Sequence, residues 1–261
     1  MRRHTTNLSM ATAFARLALI CLLPCTAHAA SDYYEGEAFS PEGGRLLYRE
    51  RHWAQQQGGA TQRITLFVCP DGRPFARRIL RERVGAAAPD FDFEDARDGY
   101  REGLRSERGQ RVAYTQARGE RERSAVVEVP QGGVADAGFD ARMRELWPQL
   151  AAGRSASVAF LIPSRLAFYE FRAEPERPQP DPTQLRVRLR MDAWYAFAVP
   201  DIELVYNATG RRLASFLGPS TIRDERGRYR KVRIAFPDRA ATPPMQADAA
   251  AVAPLSRRCG P

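Results

Sequence analysis

The stretch Leu185–Val205, LRVRLRMDAWYAFAVPDIELV, sets the reading of this chain. Leu185, Val187, Leu189 and Met191 alternate with Arg186, Arg188 and Arg190. Strand side chains point alternately to opposite faces, so the pattern gives one buried face and one wet face. A helix of the same sequence would spread the arginines round its circumference. Burying the four apolar side chains yields about 6–12 kcal/mol gross, while ordering the backbone beneath them costs about 7–14 kcal/mol. The strand therefore cannot stand alone and belongs to a larger sheet. Beyond it, Trp194-Tyr195-Ala196-Phe197-Ala198-Val199 carries no charge and is closed by Pro200. Burial on both faces is the plainer reading. A hydrophobic rim that admits an acyl chain is the functional one, and it puts Trp194, Tyr195 and Phe197 at a ligand.

Neighbours for this strand recur along the chain. Strands are expected at Arg45–Trp53, at Ile64–Val68 and, across the Pro70-Asp71-Gly72-Arg73 turn, at Phe75–Val84. Asp90–Glu94 alternates again, Arg97–Arg105 reads as a turn-rich connection, and Val112–Thr115 and Ser124–Val129 form a further pair. Strands resume at Val158–Ile162, Leu166–Arg172, Ile202–Tyr206, Leu213–Leu217 and Val232–Phe236. One helix interrupts them. Phe139, Met143, Leu146, Trp147 and Leu150 form an apolar stripe, with Asp136 or Asp140 as cap, Gly153 as stop and Pro148 as a late break. The fold class is thus mainly β: a large curved antiparallel sheet or open barrel of about 11 strands with one covering α-helix.

Residues 1–29 read as a secretory signal peptide. Arg2 and Arg3 precede the apolar run Leu17–Leu23, and Ala27-His28-Ala29 is a cleavage pattern. Residues 30–44 are expected to be a flexible N-terminal segment, 45–237 a single β-rich domain, and the Ala/Pro-rich 238–261 a disordered tail. No segment of the mature chain is apolar enough to span a bilayer as a helix. The expected location is periplasmic, with an extracellular destination as the alternative. Arg2, Arg3 and Arg16 leave with the signal and no acid does, so the formal charge falls from +9 to +6. Lys231 is the sole lysine, a skew typical of codon bias, so basicity does not argue for a nucleic-acid partner. Two cysteines survive processing, Cys69 and Cys259. An oxidising compartment permits them to pair, although Cys69 also suits a buried strand position.

Chemistry is sparse. His52 is the only histidine after cleavage, and no zinc spacing, G-x-S-x-G elbow, phosphate loop or C-x-x-C pair occurs. No catalytic residue, metal ligand or cofactor is assigned. Binding has more to offer: Arg186, Arg188 and Arg190, joined by Lys231 and Arg233 if the last strand lies nearby, form a basic stripe that Asp201 and Glu203 can oppose. Trp147 is the helix's contribution to a ligand wall.

Three blocks carry a resemblance: Phe67–Arg77 (FVCPDGRPFAR), the helix-then-strands block Asp136–Phe171, and Pro200 through Tyr206. In these the chain resembles uncharacterised exported β-rich proteins of Gram-negative bacteria, families known as domains of unknown function. At the level of fold alone it is similar to periplasmic lipoprotein carriers of the half-barrel type. Alternation sustained over many strands without a catalytic motif points to a non-enzymatic binder of a lipid, another amphipathic small molecule or an envelope protein, with apolar strand faces holding the hydrophobic part and arginines the anionic part. Two alternatives stand beside it: a hydrolase using carboxylates or Ser164, Ser220 and Tyr169, and a structural or assembly factor of the envelope.

Overall fold

The computed structural model describes residues 32–42, 44–82, 88–193, 200–224, 226–238 and 242–260; the proposed signal peptide lies outside them. Eight strands form a first meander: β1 (Asp32–Phe39), β2 (Leu46–Gln57), β3 (Ala60–Val68), β4 (Pro74–Glu82), β5 (Asp90–Asp95), β6 (Tyr100–Glu107), β7 (Gln110–Gln116) and β8 (Arg123–Val126). Two short helices follow, α1 (Gly138–Glu145) and α2 (Trp147–Ala151). Six more strands form a second meander: β9 (Ala156–Ile162), β10 (Ala167–Pro175), β11 (Gln184–Met191), β12 (Ile202–Asn207), β13 (Arg212–Arg223) and β14 (Tyr229–Ala235). All fourteen make one antiparallel sheet in the order β8 to β1, then β14 down to β9. The meanders join where β1 pairs with β14, Glu37 opposite Ala235 and Phe39 opposite Arg233.

Because β8 and β9 are the two edges and are consecutive in the chain, residues 127–155 connect one edge to the other. Val127 donates its N–H to Arg111 O beside β7, and Val134 bridges to β9 through Ala159 O and Leu161 N. Leu161, Leu166 and Phe168 of the far edge pack with Leu80, Phe91 and Leu104 of the first meander. The sheet therefore curls back on itself, a large antiparallel sheet as the alternation implies. On its inner face α1 and α2 supply Met143, Trp147 and Leu150, packed on Val158, Leu185, Val187 and Leu204. Leu185, Val187 and Leu189 are buried inward, and the arginines between them point out.

Several expectations need correction. Two strands, β1 and β6, are present where none is expected. Residues 32–39, expected as flexible, are β1; their acidic and aromatic composition shows no clean alternation, and the pairing with β2 and β14 holds them. Arg97–Arg105, expected as a connection, contains β6, between β5 and β7. Gly103 is what admits it, because a Cβ there would lie 2.2 Å from Phe91 O and 2.6 Å from the Tyr114 ring. The single expected helix is two, parted at Leu146 just before Pro148 in the first turn of α2. Neither Asp136 nor Asp140 caps α1 through its side chain in the usual way; Ala137 holds the cap position.

The expected disordered tail is also built in. Over 242–260 it forms a strap across the outer face of β2–β4, with α3 (Ala247–Ala251) at its centre. Trp53, Ile64, Leu66 and Val68 point outward and are covered by Ala247, Ala250 and Ala253. Trp53 Nε1 donates to Met245 O at 3.1 Å and Arg77 donates to Ala253 O at 3.1 Å. A disulfide joins Cys69 to Cys259, Cα–Cα 5.4 Å apart. The small residues at 247, 250 and 253 let the strap lie close to the sheet, and the apolar outer face of β3, Ile64, Leu66 and Val68, requires such a cover. The cross-link closes a loop spanning a separation of 190 residues. Cys259→Ser is expected to cost about 2–5 kcal/mol, read as a lower urea midpoint. Reductant should bring the wild type down to the variant, and an unchanged midpoint would show that the strap holds without its cross-link.

Candidate functional site

The curl forms a partly open cavity of about 280 Å³ between the two meanders. One side is apolar. Successive strands β9 to β12 project Phe160, Phe171, Leu189 and Ile202 into it, and Phe216 of β13 and Phe139 of α1 complete that wall. Each is the inward member of an alternating strand or helix face, so the period-two pattern itself builds the wall. The other side is polar: Glu50 from β2, Arg78 from β4, Asp136 from the segment before α1, and Ser220 and Thr221 from β13.

The polar groups form a chain with consistent donors. Arg78 ion-pairs with Asp136, Nε to Oδ1 at 3.2 Å and Nη1 to Oδ2 at 3.2 Å. Its Nη2 donates to Thr65 Oγ1 at 3.4 Å. The Thr65 hydroxyl and His52 Nδ1 lie 3.1 Å apart, and His52 Nε2 and Glu50 Oε2 also 3.1 Å. A neutral His52 satisfies every link: Thr65 donates to Nδ1 and Nε2–H donates to the Glu50 carboxylate. Burial pushes the His52 pKa down, more than Glu50 beside it pushes it up. The ring is stacked on Tyr34 at 4.4 Å. Burial also works against the Arg78 cation, but Asp136 and Glu50 outweigh it and raise its pKa. Ser220 Oγ shares a 2.7 Å bond with Tyr48 OH and accepts Ile222 N–H at 2.9 Å.

A second polar group lies outside the cavity lining. Tyr100 OH donates to Glu102 Oε2 at 2.6 Å and accepts from Thr115 Oγ1 at 3.0 Å. Burial raises the Glu102 carboxyl to about 7, opposed by the Tyr100 bond. The Arg223 guanidinium carbon lies 3.5 Å from the Tyr100 ring centroid, and Arg223 also pairs with Asp98. Arg97 is held by Asp95 and donates to Arg223 O. These contacts tie β5 and β6 to β13 across the interior.

The residues proposed from sequence are distributed otherwise. Trp194, Tyr195 and Phe197 lie outside the described residues; Leu189 and Ile202, on the strands either side of them, line the cavity. Trp147 is core rather than ligand wall, edge-on to Tyr206 at 5.9 Å with Arg211 over its ring. The three arginines stand on the outer face of β11, away from the cavity that the inward residues of the same strand line. Arg190 bonds Asp201 at 3.1 Å, Arg186 Nη2 reaches Gln184, and Arg188 is flanked by Glu174 and Glu203 in register. Lys231 and Arg233 lie on β14, three strands away, with β12 and β13 between. Acidic neighbours thus offset Arg188 and Arg190 but not Arg186, and one small molecule cannot touch both the stripe and the cavity. Of the serine and tyrosine set, Ser220 lines the cavity but is bonded to Tyr48; Ser164 and Tyr169 are not among the lining residues. Sequence reading missed Glu50, Arg78 and Asp136. For Glu50 and Arg78 the inward position on an alternating strand is a usable signal, since Glu50 follows Tyr48 by two and Arg78 precedes Leu80 by two; Asp136 lies off the strands and carries no such signal. Among the described residues no group of three or more His, Cys, Asp or Glu is placed to hold a metal.

No family model and no curated protein matches the chain. Among solved structures it is similar to the β-barrel-like protein of the domain of unknown function DUF1849 from Brucella abortus. That likeness has 12% sequence identity and a TM-score of 0.42, and covers 79% of this chain and 94% of the other.

Arg78→Met is expected to cost about 3–5 kcal/mol by leaving Asp136 buried without its partner. The double variant Arg78→Met/Asp136→Leu should recover much of that loss in urea denaturation; equal midpoints for single and double variants would contradict the pairing. Glu102 gives a pH signature. The folded state holds its proton more tightly than the unfolded chain, so its contribution is present below pH 4.5 and lost as the pH rises to about 7. His52 acts oppositely, its contribution being lost as pH falls below 6.5. Wild-type stability relative to Glu102→Gln should therefore decline from pH 4.5 to 7, and a flat difference across that window would refute the assignment.

Proposed function

We propose that this protein is an exported, non-enzymatic binding protein that takes the apolar part of one small amphipathic molecule into the cavity of its curled sheet. The observation that carries the reading is the cavity itself, with aromatic and aliphatic side chains on one side and a few converging polar groups on the other. Ligand sites have that composition, and a volume near the low end of the usual ~300–1,000 Å³ suits a single short chain. The polar chain supports binding over hydrolysis, because both His52 nitrogens are occupied by Thr65 and Glu50 and the Ser220 hydroxyl by Tyr48. Export to an oxidising compartment is supported by the signal-like residues 1–29 and by the Cys69–Cys259 bond.

The neutral apolar probe N-phenyl-1-naphthylamine should brighten on mixing with purified protein, at micromolar affinity and one site per chain. Leu189→Trp, which fills the cavity from β11, should abolish the signal while leaving the circular dichroism spectrum unchanged. Absence of any probe uptake by the folded wild type would overturn the reading.

A further inference from the structure

Resting on that cavity reading, the charges around the polar wall identify the head group. Three charged side chains face the cavity among the described residues: Glu50, Arg78 and Asp136. The one cation is taken, with Nε and Nη1 of Arg78 on Asp136 and Nη2 on Thr65. Glu50 bonds only His52 among the described residues, and that imidazole is neutral in the donor chain above. Two carboxylates therefore share one cation, which leaves one net negative charge in a wall that is otherwise hydroxyl or aromatic. Glu50 is only 6% exposed, so water compensates it poorly.

An anionic head would meet two carboxylates here and no uncommitted cation. An ammonium head brings three donors and a positive charge. Ser220 and Thr221 line the same wall. Aromatic rings stand there as well: the Arg78 guanidinium is already 5.6 Å from the Phe67 centroid, and Phe236 is 6.1 Å from the His52 ring. Ring faces attract cations and add to the preference. We propose that the cavity binds a single-chain cationic amphiphile, with its ammonium on Glu50 and its alkyl chain among Phe160, Phe171, Leu189 and Phe216. This reverses the anionic head group that the arginine stripe suggests, because that stripe lies on the other face of the sheet.

Titration calorimetry with octylammonium, octanol and octanoate at equal ionic strength tests this. Octylammonium should bind at least about tenfold more tightly than octanoate, with octanol between them. Glu50→Gln should cut the octylammonium advantage to less than about threefold while leaving octanol binding intact. Octanoate binding as tightly as octylammonium would overturn the head-group assignment and leave the apolar cavity standing. Failure of all three to bind would overturn both. If Glu50→Gln does not fold, Leu189→Trp decides: loss of octylammonium binding supports the cavity as its site, and retention places the cation on the outer surface and refutes the proposal.

Discussion

The pairing of β1 with β14 is the constraint on which the rest of the molecule depends. Each meander is a series of local hairpins, but the ladder from Glu37–Ala235 to Phe39–Arg233 is what makes them one sheet. Curling then follows from size, since a twisted sheet of this many strands does not stay open and flat. Gly36 shows how closely the two strands are fitted. A Cβ on it would lie 2.7 Å from the Phe236 ring, so the absent side chain is what lets Phe236 turn inward and line the cavity.

Curling places polar residues where water is excluded, and the interior handles them in sets. Arg78, Asp136, Thr65, His52 and Glu50 form one chain, and Tyr100, Glu102 and Thr115 another. A partly satisfied buried network is costly, and Arg78 Nε, which faces Asp136 without a well-aligned hydrogen bond, is a donor left short here. Glu50 is the member whose charge is least compensated, and it faces the cavity. The same low dielectric that makes it costly in the empty protein makes it selective toward a ligand.

Period-two alternation separates what a linear reading of β11 runs together. Arginines and aliphatic residues adjacent in sequence end on opposite faces, one set on the outer face, with Arg188 and Arg190 beside acids, and the other forming cavity and core. The outer face has two characters as well. Over β10–β12 it is charged and open, whereas over β2–β4 it is apolar and closed by the C-terminal strap. A chain with so little apolar periodicity in its tail still orders it, because the sheet supplies the hydrophobic surface and the disulfide removes much of the entropy of docking.

The sequence alone determined the class of fold and most of its strands, because alternation such as Leu185–Met191 is a local property that only a half-buried strand satisfies. It also determined the apolar stripe of the helical segment and the two cysteines available to pair. Local pattern was silent on β1 and β6, whose irregular composition is overridden by neighbours on both sides, and on the tail, whose alanines acquire meaning only against Trp53 and Ile64. The cavity wall was half legible: Leu189 and Ile202 belong to strands read directly from the pattern. Glu50, Arg78 and Asp136 became a site only through tertiary structure, because residues far apart in the chain converge when the sheet curls. Distance between strands is set by topology and twist, and no spacing along the chain records it.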